Sequence, residues 1–497
     1  MKYYLLFIFI LLITQTHCLS QHSFEFFLST PEDDVLIESV VDNQGNVILV
    51  GRIGNVTEEK YDAYIVKVLP DGSYQEKRFE KQDTIGFFSG INILDNGNYF
   101  VTGRYSVNGS IDICDHFWVV IMDANLEVVS EKYYLAPEGY LGFWSNRNAI
   151  IDEDGFIALV TEVGRQYTHY EVADFIMYKF NQEGDTLLSK LYPSWNSSSV
   201  YSLCPIPESD SIMMLGRGSL SNGSESMDFM DKDMNISRSV NLETVHAGRR
   251  LSNNIWVRQN EFLMVANLIV DVDKKREYFF SIFRMNTSGE YLQELLLDRP
   301  DTLEYRAIRQ AMVQANDSSI FVSGYQSFNV GWTTRPSKSI IYLIDVDMNL
   351  IGRVSLGGDA NYVLWGITTT PDSGVLAYGT RYKNEGSFAR DIHVRKFLRE
   401  DFEIITQLTD QSAATFDSKV WPNPANDLLY VSLDGLETGS DFRLRIYNTA
   451  GQKYFDKAFK ATAEAVQCHI GVLPAGTYVY ELQSADGQVS SGKFIKQ

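Results

Sequence analysis

The chain has 497 residues, of which 44 % are apolar and 13 % aromatic, enough for real cores in two or three domains. Twelve prolines against 28 tyrosines and 29 phenylalanines exclude a disordered chain. The formal net charge is −21, and from Ser418 onward eight Lys/Arg balance eight Asp/Glu, so the whole acidic excess lies earlier and argues against nucleic acid or anionic membranes as partners.

The first 20 residues, MKYYLLFIFILLITQTHCLS, read as a secretory signal peptide. Lys2 supplies the positive start, residues 5–13 the apolar run, and Ser20 a small residue before cleavage. The run is too short for a membrane anchor, and no later stretch could span a bilayer. Cys18 does not make a lipoprotein site, because His17 stands where lipid attachment wants a small residue. Cys114, Cys204 and Cys468 remain after cleavage, without paired spacing, and read as small buried residues.

From residue 35 to 410 the chain repeats itself weakly. VVDNQGNVILVGR (40–52), NILDNGNYFVTGR (92–104), AIIDEDGFIALVTEV (149–163), PESDSIMMLGR (207–217), VRQNEFLMVAN (257–267), QANDSSIFVSGY (314–325) and TTPDSGVLAYGTR (369–381) share a plan. An Asp/Asn/Gly turn is followed by an apolar run, usually closed by Gly. Asp, Asn and Gly tolerate positive φ, which a tight hairpin requires. A second half, such as DAYIVKVLPDGSYQEKRF (62–79) or HFWVVIMDANLEVVSEKYY (116–134), again reads strand, turn, strand. The period is about 55 residues, seven times over, and four short strands at that period predict a β-propeller. The repeats resemble loose secreted-bacterial propeller repeats over most of 35–405, and the seven periods predict a seven-bladed propeller domain over 21–411. HSFEFFLST (22–30) is expected to add an outer strand that closes the ring.

If the strands of a blade run outward from the axis, the short acidic turns share one face. The longer, variable connections share the other, where binding on a rigid scaffold usually sits. Near the start of the first strands stand Phe88, Trp144, Tyr201 and Trp365. Near the end of the second stand Arg52, Arg104, Arg217 and Arg381. Aromatic platforms with guanidinium forks suit sugar rings and carboxylates, which predicts a glycan- or protein-binding mouth. The competing reading is that the aromatics plug the funnel and the arginines cap it.

IDVDMNL (344–350) and MDKDMNI (230–236) begin like calcium loops. The first has Leu350 and Leu356 where such a loop needs Gly and Glu, so both read as turns. No HExxH, CxxC, GxSxG or phosphate-binding loop occurs, and no cofactor or metal is implied. The seven histidines are scattered, and no catalytic residue can be named. The sequons at Asn55 and Asn222 matter only in a host that uses them. DTI (83–85), DTL (185–187, 301–303) and DSI (210–212) resemble the short O-glycosylation motif of Bacteroidetes.

Character changes after a small polar linker, 412–419. In FRLRIYN (442–448), Phe442, Leu444 and Ile446 alternate with Arg443 and Arg445, so 420–497 reads as a small Ig-like β-sandwich. Four blocks stand in order there: Pro422-Asn423-Pro424-Ala425; Tyr447-Asn448 with Gly451-Gln452; Leu473 with Gly476 and Tyr478; and a closing stretch with Lys493 and Lys496. They resemble the type A C-terminal sorting domain of the Bacteroidetes type IX secretion system. Trp421 replaces the commoner Tyr or Phe. Pro422 and Pro424 are expected to stiffen an extended lead-in and to remove two donors. The resemblance implies Sec export to the periplasm, passage through the outer membrane by the type IX machinery and its sortase, and release or attachment to surface lipopolysaccharide.

Together these readings predict an all-β protein, a seven-bladed β-propeller followed by an Ig-like sandwich, acting as a secreted or surface binding and adhesion module. A polysaccharide-active enzyme with its site on the axis, and a structural surface component, are the alternatives.

Overall fold

The computed structural model describes residues 22–30, 32–55, 60–80, 84–107, 114–151, 157–166, 171–192, 199–217, 225–242, 250–272, 275–297, 304–326, 336–383, 390–404, 418–432, 439–448, 453–460, 465–484 and 489–497. The expected signal peptide and most of the linker lie outside these residues. The chain divides into two compact units, Met1–Ile405 and Thr406–Gln497.

The first unit is all-β. Among the described residues it forms seven antiparallel sheets, the first five built wholly from consecutive strands. The first sheet runs Val35–Val41, Val47–Asn55, Lys60–Val68, Tyr74–Phe79; the second runs Ile85–Ile93, Tyr99–Ser106, His116–Met122, Val128–Leu135. The third to fifth start at Gly142–Ile151, Ser199–Pro205 and Arg250–Arg258 and follow the same order. In the sixth, the first strand is broken into Glu304–Arg306 and Met312–Asn316, and Glu403–Ile404 joins the far edge beside Leu350–Gly357. The seventh holds Asn361–Thr369, Val375–Tyr382 and Asp391–Phe397, and its outermost strand is Phe24–Leu28. The register there is Phe24 opposite Lys396 and Leu28 opposite Ile392. The N-terminal segment thus takes the outer position expected of it.

Apolar side chains from neighbouring sheets share each core. Leu36, Leu49 and Tyr64 of the first sheet pack with Leu376, Tyr378 and Ile392 of the seventh. Ile48, Val50 and Ile65 pack with Phe88, Trp118 and Val120 of the second. Polar ties join the sheets at their far turns. Lys77 Nζ donates to the carbonyl of Leu126 (2.9 Å), Tyr134 Oη to Gly184 (2.5 Å), and Arg238 Nη2 to Thr287 (2.8 Å). In each tie a side chain of one sheet holds the turn of the next.

The turns explain the repeated Asp. Asp345 Oδ1 accepts the N–H groups of Asp347 (2.9 Å) and Asn349 (2.8 Å), while Oδ2 takes the Asn349 amide (2.8 Å). The same cap recurs at Asp231. These carboxylates are occupied by their own turns, as the missing Gly and Glu of a calcium loop foretell. Where Gly is absent from the left-handed position, Leu126, Met234 and Met348 adopt φ of 65°, 60° and 65°. Their buried side chains, each a member of an inter-sheet core, offset that strain.

The repeated closing Gly has a different cause. A Cβ on Gly51 would lie 1.9 Å from the carbonyl oxygen of Val35, on Gly103 2.3 Å from that of Phe87, and on Gly379 2.2 Å from that of Val363. Beside each of these glycines the first strand carries a bulge, between Leu36 and Glu38, Phe88 and Gly90, and Leu364 and Gly366. Bulges also fall between Phe143 and Ser145 and between Val200 and Ser202. At Gly51, Gly103 and Gly379 the first strand lies so close to its partner that only hydrogen fits between them.

The second unit has a three-stranded sheet of Val420–Trp421, Leu428–Ser432 and Ala465–His469. Its four-stranded sheet is ordered Lys453–Lys460, Asp441–Asn448, Gly476–Ser484, Val489–Lys496. Leu429, Val431 and Cys468 from the first share a core with Phe442, Leu444, Ile446, Tyr480, Leu482 and Phe494 from the second. The alternation at 442–446 therefore sorts side chains as its period demands.

Candidate functional site

The bulges decide where the expected aromatic residues point. A bulge adds one residue to one strand and re-aims the side chains around it. Trp144, Tyr201 and Trp365 are the extra residues of their bulges, but in the second sheet that slot holds Ser89. Phe88, one residue earlier, turns into the core. It is fully buried, 4.7 Å from the Trp118 ring, with Phe79 edge-on at 5.1 Å. Its ring presents no face to a ligand. Tyr201 is half-buried against the core that holds Met213, Leu215 and Phe262. Trp365 packs against Val35, Ile37, Phe87 and Cys114. The Trp144 side chain lies outside the described residues.

The arginines gather around Phe87, which the sequence does not single out. Arg104 sits over its ring with the guanidinium carbon 4.2 Å from the centroid, and Arg52 approaches the same ring at 5.9 Å. Arg104 also donates to the Phe143 carbonyl (3.2 Å), and Arg52 stacks on Tyr61 (4.8 Å). Asp33 is almost fully buried and ties Arg390 through both carboxylate oxygens, with Arg52 at 3.5 Å. Burial lowers the pKa of Arg52, and Asp33 opposes that shift.

Next to it, Asp34 is pushed up to about 7. Burial is the largest cause, and repulsion from Glu32 adds to it, against a 2.8 Å hydrogen bond from Thr30. This pair was missed because Asp33 meets Arg390 across 357 positions of sequence. No local pattern reports such a meeting.

Arg381 belongs to a separate network. It donates to Asp359 (2.6 Å) and to Tyr362 Oη (3.0 Å), and Tyr362 in turn donates to Asp359 (2.9 Å). Its guanidinium lies 5.3 Å from the Phe27 ring. Phe27 stacks on His393 at 4.7 Å, and His393 Nε2 meets Glu25 at 2.8 Å. Burial holds the His393 pKa below its ordinary value, against the pull of Glu25. The structure thus joins Arg52 with Arg104 through Phe87 and places Arg381 apart. The side chain of Arg217 lies outside the described residues.

In the second unit the sorting residues converge on the last strand. Asn423 Oδ1 accepts the N–H of Ile495 (2.9 Å) and its amide donates to the Lys493 carbonyl (3.4 Å). Ala425, fully buried, donates to the Ile495 carbonyl (2.8 Å) and accepts from Gln497 (2.9 Å). Lys496 is paired with Gly476 and bridges Ala425. Tyr478 stacks on Phe494 at 5.6 Å and donates to Pro474 (2.8 Å), while Asn448 pairs with Tyr478. Gly451 and Gln452 lie outside the described residues. One expectation is corrected. The lead-in is bent at 422–424, with both X–Pro bonds cis, rather than extended. The bend lets the Asn423 side chain stand in for a strand edge.

Comparison with known proteins bears directly on this unit. Residues 419–497 match the family described as secretion system C-terminal sorting domain. That domain directs export to the cell surface or the extracellular space and implies contact with the secretion machinery. Among the described residues, no helix is long and apolar enough to cross a membrane. No curated protein matches the chain.

Among solved structures, the chain is similar to Pyrococcus horikoshii acylaminoacyl peptidase, at 13% identity and a TM-score of 0.40. The match covers 82% of this chain and 57% of the peptidase. It is also similar to Penicillium chrysogenum alpha-L-arabinanase complexed with arabinobiose, at 8% identity and a TM-score of 0.40, over 63% of this chain and 93% of that one. The extracellular domain of a putative hybrid two-component system from B. thetaiotaomicron gives 9% identity and a TM-score of 0.29, over 93% and 80%. Similarity this distant says nothing about activity.

Proposed function

We propose that the chain is a seven-bladed propeller of a bacterial type IX cargo, with an Ig-like sorting domain, and that it works outside the cell as a binding and adhesion module. The ring is supported by seven sheets in chain order, by first strands that pack one against the next and the seventh against the first, and by Phe24–Leu28 in the seventh sheet. One observation carries the binding reading. The tight turns are saturated by their own Asp and Asn side chains, whereas longer connections, such as that from Ser106 to His116, leave the opposite ends of the strands beside the arginines. A rigid frame with one closed and one variable face is suited to recognition.

The enzyme reading has one specific observation in its favour. Asp34 lies beside a second carboxylate, Asp33, and burial raises it to about 7, which suits a general acid. Yet Asp34 has no exposed surface and reaches no substrate. Binding therefore stands first, with Trp144, Tyr201, Trp365, Arg52, Arg104, Arg217 and Arg381 as the proposed surroundings of the mouth and Phe88 as core.

Affinity electrophoresis of the full chain through gels containing alginate or pectin, with Trp144→Ala and Arg381→Ala alongside, tests this reading. Retardation lost in either variant supports a ligand at the mouth. Equal retardation of all three moves the ligand elsewhere on the protein.

A further inference from the structure

The second sheet carries an aromatic group that no proposed mouth residue shares. Tyr105 and His116 are direct cross-strand partners, and so are Trp118 and Tyr133. The period of two puts all four on the face that meets the first sheet. They lie toward the ends of their strands that adjoin the connection from Ser106 to His116. The Tyr105 and Tyr133 ring centroids are 5.0 Å apart, Tyr105 and His116 6.0 Å, and His116 and Tyr133 6.1 Å. Trp118 lies parallel to Tyr133 at 6.0 Å and is buried under Phe79 of the first sheet.

The cluster does not close over itself. Tyr133 keeps 38% of its surface exposed. Glu131 Oε1 accepts both the Trp118 indole N–H (3.0 Å) and the Tyr133 hydroxyl (2.5 Å), so one carboxylate fixes two rings. Asp115 Oδ1 stands 3.1 Å from His116 Nδ1, so a carboxylate and an imidazole lie side by side at the edge of the group. The result is a half-open cluster in which Tyr133 is the exposed ring, Tyr105 and His116 meet it at steep angles, and two carboxylates stand beside it.

A pyranose offers an apolar face of C–H bonds to a ring and a belt of hydroxyls to carboxylates and imidazole. The two acidic borders disfavour a sugar that carries its own carboxylate or sulfate. We propose that Tyr133, backed by Tyr105 and His116, stacks a neutral pyranose unit whose hydroxyls donate to Glu131 and Asp115. This rests on the binding-module reading and moves its ligand from the mouth to the exposed Tyr133 cluster of the second sheet.

The test is affinity electrophoresis of the full chain through gels containing hydroxyethyl cellulose, glucomannan or xylan. The parent is expected to be retarded in at least one neutral gel. Tyr133→Ala should weaken that retardation about tenfold, since stacking on one ring contributes on the order of 1–2 kcal/mol. Tyr133→Phe, which keeps the ring, should stay within about twofold of the parent. His116→Ala, which leaves the Tyr133 ring in place, gives a second reading should Tyr133→Ala lower the melting temperature.

No retardation in any neutral gel overturns the proposal, as does parent-like retardation of both Tyr133→Ala and His116→Ala. Retardation in alginate or pectin alone, lost in Trp144→Ala, overturns this site while leaving the mouth reading standing.

Discussion

The side chain of Asn423 accepts the backbone N–H of Ile495 at 2.9 Å, so the first motif of the sorting domain is bonded to the last strand, 72 residues on. With the Ala425 bridge, it covers the outer edge of Val489–Lys496, a strand that would otherwise expose its hydrogen-bonding groups. Asn423→Ala is expected to cost about 1 kcal/mol, as for a solvent-accessible hydrogen bond. Amide hydrogen exchange should show Ile495 losing protection in the variant while the core strand Asp441–Asn448 keeps its own.

Ala425 is fully buried where the bent segment meets that strand. Ala425→Leu adds volume with no space to take it and should cost about 1–3 kcal/mol. The variant is expected to accumulate inside cells relative to the parent. Fractionation followed by immunoblotting would check this, and unchanged surface or extracellular levels would count against the link between fold and export.

Two glycine replacements separate two causes. Gly51→Ala places a methyl against the Val35 carbonyl, and both sides are backbone. A loss of about 3 kcal/mol or more is expected. Gly97 has φ of 82° and open space around its would-be Cβ, so Gly97→Ala meets only the left-handed penalty of about 1 kcal/mol. Urea unfolding of the two variants should rank them in that order.

Much of this was legible in the sequence. Alternation, Asp-rich turns and the closing Gly reported strands and their period, and the four terminal blocks reported the sorting domain. Bulge register was not legible, because one inserted residue leaves composition and period nearly unchanged. That is why Phe88 looked like a mouth residue while Ser89 holds the slot. Ion pairs such as Asp33 with Arg390 join segments brought together only when the last sheet meets the first.

Asp34 supplies a pH test. Its pKa rises from 3.8 to about 7 on folding, with burial as the main cause. The folded state therefore holds a proton that the unfolded chain releases, and stability present below the unfolded value is lost as pH rises toward 7. Asp34→Asn stays neutral throughout. Relative to the parent, its melting temperature should rise by a few degrees on going from pH 5 to pH 8. A constant difference across that range would contradict the assigned protonation.

The two ends of the first unit are fastened in neighbouring sheets by unequal means. Phe24–Leu28 pairs along five residues, whereas Glu403–Ile404 pairs along two, with Arg353 on Glu403 at 3.3 Å and the Phe402 ring 5.4 Å from Phe321. Tension applied through the tail therefore enters at the shorter seam and peels two rungs from the sixth sheet first. The N-terminal strand, on the next sheet, lies off that load path. The two-residue pairing of Glu403–Ile404 is therefore expected to yield under traction before the five-residue pairing of Phe24–Leu28 is strained.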